Sequence, residues 1–162
     1  MSSESTESVV NVNDAPSGSV TISGTAVEDG VLTAVNTLTD EDVLGTISYI
    51  WSNGGTGETM TLGQLDVGNT IRVTASYTDG QGGAESVSSE STESAVNVND
   101  APSGSVTISG TAVEDGVLTA VNTLTDEDVL GTISYSWSNG HTGETTTLGQ
   151  SDVGNTITVT AT

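Results

Sequence analysis

The chain repeats itself. Asn13-Asp14-Ala15-Pro16 returns at Asn99-Asp100-Ala101-Pro102, and Ser2 to Ser8 returns at Ser88 to Ser94, so the period, from Asp14 to Asp100, is 86 residues. Residues 1–76 align without a gap on 87–162, and only eight of these pairs differ: Met1/Val87, Val9/Ala95, Ile50/Ser136, Gly55/His141, Met60/Thr146, Leu65/Ser151, Arg72/Thr158 and Ser76/Thr162. Such a period far exceeds a solenoid coil or a propeller blade and approaches the size of a small independent domain. Near-identical domains in series multiply length or equal contacts, which points to a structural or adhesive role.

Each copy has little with which to hold itself together. Apolar residues make up 33% of the sequence, there is no Phe and there are two Trp, so a domain of this size buries only a thin core. There is no cysteine, so the additional stabiliser is not a disulfide, and the redox compartment stays open. The charge suggests a metal: 22 acidic residues face a single basic one, Arg72, for a net charge of −21. Such a chain repels nucleic acid and anionic membrane surfaces, and without counter-ions it repels itself. Acidity also confers solubility, and both effects are expected to operate. No apolar run reaches the roughly 18 residues of a membrane span, so this segment is not expected to insert in a membrane. Met1 leads into Ser-Ser-Glu and occupies the place of Val87, which reads as a piece of something longer whose export signal lies elsewhere.

Short apolar segments alternate with Ser and Thr and are bounded by Gly, Asn and Asp, the pattern of half-buried antiparallel strands. In the first copy strands are expected at 20–22, 31–38, 47–51, 59–62 and 70–77, with a tight turn at Asn53-Gly54. A second turn at Asp79 to Gly83 is followed by a long polar strand from Ala84 to Val98. Ile47, Tyr49 and Trp51 share one face, as do Ile71, Val73, Ala75 and Tyr77. The differences between copies support this facing, because Ile50/Ser136 and Arg72/Thr158 fall on the outward side. Asp66 and Asp152 read as turn residues. Proline ends a ladder, so the boundary between the copies falls at Asn99-Asp100-Ala101-Pro102. Residues 1–14 are then the last strand of a preceding repeat plus linker, 15–98 the first repeat, 99–102 a linker, and 103–162 a second repeat without its last strand. On this division the orphan strand of one molecule is able to complete the open sheet of another, head to tail.

The acidic residues cluster. Asn13-Asp14, Glu28-Asp29 and Asp40-x-Asp42 recur as Asn99-Asp100, Glu114-Asp115 and Asp126-x-Asp128, and the first copy adds Asp79, with no basic residue nearby in sequence. Calcium takes six to eight oxygens, and carboxylates and amides on several loops at one end of a sheet structure supply such a set. In Asp40-x-Asp42 the spacing lets both side chains point the same way along extended backbone. The competing reading is that Asp and Asn cap turns through their own backbone. Two other calcium motifs fail: Leu44 and Trp51 break an EF-hand loop starting at Asp40, and Thr59 and His141 break a glycine-rich nonapeptide at Gly54.

Asn11-Val12-Asn13-Asp14-Ala15-Pro16 resembles the linker of cadherins and of bacterial cadherin-like repeats, which share calcium with Asp-x-Asp and Glu-bearing loops. Asn11 stands where that family has Asp, and one residue before Ala15-Pro16 is missing. Leu62-x-x-x-Asp66-x-Gly68 after Tyr49-x-Trp51 is similar to the core Trp and Asp-x-Gly turn of immunoglobulin-like domains, without their disulfide or corner tyrosine. Over the full length of both copies the chain resembles the extender repeats of giant bacterial surface adhesins of the RTX type. The resemblance implies an all-β fold of two tandem antiparallel β-sandwich domains, Ig-like or cadherin-like, in an extended array. It also implies Ca2+ as cofactor, neighbouring repeats of the same chain as partners, and a secreted, extracellular place on the bacterial cell surface. The alternative is a β-sandwich module that itself binds carbohydrate or ice through Thr59-Met60-Thr61 or Thr145-Thr146-Thr147, although an outward strand face accounts for these threonines more simply. No enzyme is expected: the lone His141 has Gly55 as its counterpart in a turn, and nothing marks a carboxylate pair as an acid and base.

Overall fold

The computed structural model describes residues 1–162, and its chain forms two compact units, Met1–Val98 and Asn99–Thr162. Both are built from short antiparallel strands, and the only helical pieces are 3-10 turns at Gln64–Asp66 and Gln150–Asp152. In unit 1 the strands are β1 (Val20–Ser23), β2 (Val31–Asn36), β3 (Ser48–Trp51), β4 (Thr59–Thr61), β5 (Val73–Thr78) and β6 (Ala84–Ser88). They make two three-stranded sheets, ordered β1-β2-β4 and β3-β5-β6. In unit 2, β7 (Val106–Ser109), β8 (Val117–Asn122) and β10 (Thr145–Thr147) form one sheet, ordered β10-β8-β7. β9 (Tyr135–Trp137) pairs with β11 (Val159–Ala161).

The period of two in the sequence decides what is buried. Val73, Ala75 and Tyr77 on β5, with Ile71 just before it, are all at most 5% exposed, and they pack with Leu32 and Ala34 of β2, Trp51 of β3 and Met60 of β4. One core therefore serves both sheets of unit 1. The Trp51 ring is buried with its polar end satisfied, the indole N–H donating to Gly57 O at 2.9 Å, and Trp137 repeats the bond to Gly143 O at 2.8 Å. Ile50 and Arg72 are exposed, as are Ser136 and Thr158, so the differences between copies fall where they cost little.

Three expectations are corrected. The strand expected from Ala84 to Val98 ends at Ser88, and the one expected from Thr70 begins at Val73. The cause is hydroxyl chemistry: Val73 N donates to Ser89 Oγ at 3.1 Å and Ile71 N to Thr92 Oγ1 at 3.0 Å, in place of ladder carbonyls. The segment still lies along the sheet, since Ser89 N reaches Val73 O and Thr92 N reaches Ile71 O, both at 2.9 Å. Third, the threonine segment is not wholly outward: Thr145 and Thr147 are exposed, but Thr146 is 2% exposed and points into the core side.

Thr146 also explains a pair of differences. In unit 1 a Cβ on Gly55 would lie 2.7 Å from Met60 Sδ, so the glycine makes room for methionine. In unit 2 threonine replaces Met60, and His141 occupies the freed space with Nδ1 2.8 Å from Thr146 Oγ1. Changing either residue alone collides or leaves a gap, so the two positions are coupled.

The units differ in closure. Ala95 is 4% exposed in unit 1, bridged to Val67 on a segment that seals the core. In unit 2 the counterparts of buried Val20, Leu38, Ile71, Val73 and Ala75, namely Val106, Leu124, Ile157, Val159 and Ala161, are only half-buried. A matched pair of substitutions reads this out. Ile71→Ala should cost about 2–5 kcal/mol, the range for a sealed aliphatic site. Ile157→Ala should cost clearly less, and calorimetry of the two variants of the 162-residue chain gives the comparison.

Candidate metal centre

Strand β2 runs between the two acidic groups of unit 1. Glu28 and Asp29 precede it, Asp40 and Asp42 follow it, and they therefore lie at opposite ends. The Asp40 end also receives the turn between β5 and β6, with Asp79, and the entering segment Asn11 to Asp14.

The entering segment docks on Asp42, which is 5% exposed: Asn11 Nδ2 donates to Oδ1 at 2.6 Å and Asp14 N to Oδ2 at 2.7 Å. Asp40 Oδ1 accepts from Asp42 N at 2.8 Å, an Asx turn, and Oδ2 accepts from the Tyr77 hydroxyl. Val43, immediately after, has φ of +75°, where a β-branched residue is strained. That bend presents the carbonyls of Asp42 and Val43 to Gly80 N, at 2.8 and 3.1 Å, and ties the Asp40 loop to the Asp79 turn.

Asp79 is 6% exposed. Its Oδ1 accepts from Gln81 N at 2.8 Å and Gly83 N at 2.7 Å, whereas its Oδ2 is buried with no hydrogen-bond partner. A buried carboxylate oxygen without a donor carries a full desolvation cost unless a cation neutralises it. That oxygen faces a second acceptor: a Cβ built on Gly83 would lie 2.5 Å from Asp79 Oδ2 and 2.4 Å from Asn13 Oδ1, so the two oxygens are within about 5 Å of one another. Asn13 is oriented for this, because its Nδ2 is engaged with Asp14 O at 3.2 Å and Glu85 Oε1 at 3.0 Å. Two acceptor oxygens facing a space bounded by bare glycine, with Asp40, Asp42 and Glu85 close by, form a cradle suited to a hard cation. Asp40 and Asp42 spend one lone pair of each oxygen on the bonds above and keep others for a metal or its water.

The remaining expected ligands fall elsewhere. Asp14 contributes its N–H, and its side chain is exposed. Glu28 is 3% exposed, accepts from Val98 N at 3.1 Å, and its carboxylate faces the Gln64 amide at 2.6 and 3.2 Å. Asp29 is exposed and takes the left-handed conformation, φ +59°, that turns the chain into β2. In unit 2, Asp128 N bonds Asp126 Oδ1 at 2.9 Å, Asp100 N bonds Asp128 Oδ2 at 2.8 Å, Asn99 Nδ2 bonds Asp100 O at 2.8 Å, and Val129 repeats the φ of +75°. The bond from Asp14 N to the Asp-x-Asp loop thus recurs in unit 2 as Asp100 N on Asp128. Glu114 and Asp115 are exposed, and the 86-residue offset carries the counterpart of Asp79 past Thr162. Asp66 and Asp152 close their 3-10 turns by accepting from Gly63 N at 3.0 Å and Gly149 N at 2.9 Å, as turn residues do.

Sequence reasoning did not single out Glu85, Tyr77 as a donor to Asp40, or Gly83. The first two were legible only as alternating strand residues, and Gly83 as one more turn glycine. Burial, the hydrogen bond to Asp40 and the charges of Asp40, Glu85 and Asp79 all push the Tyr77 phenol above its ordinary pKa. The protonated phenol is thus favoured by folding. Its contribution is intact below the ordinary tyrosine range and is lost as pH rises past about 10, where the unfolded chain releases the proton first. Denaturant midpoints at pH 8 and pH 11 should therefore fall with pH in the native chain and fall less in Tyr77→Phe.

No family model matches the chain, and neither the curated proteins nor the solved structures contain a match to it.

Proposed function

We propose that this chain is a structural spacer of a large secreted bacterial surface adhesin, made of tandem Ig-like or cadherin-like β-sandwich repeats that calcium stiffens at their junctions. The observation that carries the reading is the buried, unpartnered Oδ2 of Asp79 facing Asn13 Oδ1 across Gly83. Asn13 belongs to the segment that precedes β1, and Asp79 to the turn between β5 and β6. A cation held by both fixes the incoming linker onto the domain, which a hydrogen-bonded contact between like-charged segments does less firmly. The two shared sheets around one thin core, the near-identical copies and the net charge of −21 support the same reading. A spacer needs repeated length, and a divalent ion bridging acidic segments removes their repulsion and fixes their relative orientation, which keeps the array extended. Extracellular calcium sites bind with Kd of about 10⁻⁴ to 10⁻³ M, so stiffening would follow secretion and would be absent in the cytosol. The projection of distal binding modules from the cell is what such stiffness serves.

The test is a melting curve and a scattering-derived length, each with calcium and with chelator. Calcium at about 100 times its Kd should stabilise the chain by about 2.7 kcal/mol and lengthen it. Gly83→Ala should abolish the calcium increment by filling the cradle while keeping every carboxylate. Asp79→Asn should abolish it too, yet leave the calcium-free protein as stable or more so, because the new amide can donate to Asn13 Oδ1. A chain whose melting and length ignore both calcium and chelator refutes the metal, and with it the stiffened spacer.

A further inference from the structure

Three of the eight differences between the copies change character in the same direction. Ile50, Leu65 and Arg72 of the first copy are Ser136, Ser151 and Thr158 in the second, so two large apolar side chains and the one Lys or Arg of the chain become hydroxyls. In unit 1 these three lie around a single residue, Ser52. Ile50 is on the outer face of β3, opposite Thr74 of β5. Arg72 comes two residues before Thr74 on that face, and its main chain is paired with Ser52: Arg72 N donates to Ser52 Oγ at 3.1 Å and Ser52 N to Arg72 O at 2.8 Å. Ser52 and Leu65 line one pocket of about 420 Å³. This corner is at the start of β5, and the Asp79 turn follows its other end.

A single exposed apolar residue is ordinary. Here Ile50 and Leu65, 56% and 95% exposed, flank the one guanidinium of a chain of net charge −21, and Arg72 is itself exposed. The acid of the corner does not compete for it, because Asp66 accepts from Asn53 Nδ2 at 2.8 Å and from Gly63 N at 3.0 Å, one bond on each carboxylate oxygen. A basic partner finds carboxylates over the rest of the surface and gains nothing from this corner. An acidic partner is repelled elsewhere and met by a cation here. The chain itself presents the matching pair of groups, an exposed carboxylate two residues before an exposed valine. They are Glu41 with Val43, 69% exposed, and Glu127 with Val129, 84% exposed.

We propose that the corner of Ile50, Leu65 and Arg72 in unit 1 docks the Glu-Asp-Val loop of a second copy of this chain. The Glu41 or Glu127 carboxylate takes the Arg72 guanidinium, whose planar fork matches two oxygens, and the valine covers Leu65 and Ile50. Both valines have φ of +75°, so each copy offers the loop in the same bent form. Corner and loop are different surfaces, which makes the contact heterologous and lets it extend past a pair. Unit 2, with hydroxyls at all three positions, offers loops and no corner.

The experiment is sedimentation velocity of the 162-residue chain from low-micromolar to near-millimolar concentration, in about 0.15 M salt, where screening over about 8 Å limits repulsion between acidic chains. Chelator is present throughout, so the outcome does not depend on the Asp79 site. Average mass should rise with concentration. Arg72→Thr and Leu65→Ser install what unit 2 carries at the same positions, so both variants should melt as the native chain does, and each should weaken association about fivefold or more. Building the corner into unit 2 with Ser136→Ile, Ser151→Leu and Thr158→Arg should strengthen it. A chain with Arg72→Glu and a chain with Glu41→Arg and Glu127→Arg should each stay monomeric alone and associate when mixed, because opposite charges then meet again. A native chain that stays monomeric over the whole range overturns the proposal, as do Arg72 and Leu65 variants that associate like the native chain or a mixture that does not associate. Oligoglutamate that dissolves the association as well as a peptide of residues 125–131 does overturns the assignment to a second copy.

Discussion

The hairpin of β5 and β6 places two demands on one stretch of backbone. Its strands and the segment beyond them supply Val73, Ala75, Tyr77 and Ala95 to the core. Its turn supplies Asp79, whose Oδ1 is pinned by Gln81 N and Gly83 N so that Oδ2 has to face inward. The same register that buries alternate residues of β5 continues to Asp79, which is why a carboxylate ends up 6% exposed. The Asp40 loop is then drawn in by Gly80 N and by Tyr77, and the entering linker by Asp42. Core closure and the acidic end are therefore parts of one arrangement, and loosening the hairpin loosens both.

The acidity of this end is costly on its own terms. Burying Asp42 and Asp79 in a chain of net charge −21 takes two carboxylates out of water with no cationic side chain to meet them. Asp42 recovers much of the cost through the two hydrogen bonds its carboxylate accepts, from Asn11 Nδ2 and Asp14 N. Asp79 recovers it on one oxygen only. The strained φ of Val43 and Val129 points the same way, since a β-branched residue is kept in the left-handed region in both copies only where the surrounding loop fixes it. Strain at Val43 and the unmatched buried oxygen of Asp79 thus sit at the same end of unit 1, joined through Gly80.

Much of the strand layout was legible because a period of two is imposed by strand geometry. Ile71, Val73, Ala75 and Tyr77 had to share a face, and substitutions such as Ile50/Ser136 identified which face was wet. The clustering of Asn13, Asp40, Asp42 and Asp79 was legible as composition but not as geometry, since nothing local says that β2 separates Glu28 from Asp40. The break after Ser88 was hidden for a different reason. A Ser and Thr run reads as an edge strand, and only the three-dimensional offset between the segments lets Ser89 and Thr92 hydroxyls substitute for carbonyls. The linked change of Gly55 with Met60 was invisible because Gly55 lies in the loop before β4, and strand alternation says nothing about how that loop folds back on Met60.

Repetition itself has a physical consequence for such a fold. When the closing segment of each unit has the same sequence as its neighbour's, the seat cannot distinguish its own segment from another by side-chain fit, and only tether length and effective concentration decide. An internal segment has the advantage of proximity, which keeps Ala95 in its own unit. Near-identical repeats thus trade specificity of closure for interchangeability. The short, hydroxyl-rich edge at 89–94, whose ladder is interrupted by its own side chains, limits how much unintended pairing that trade allows.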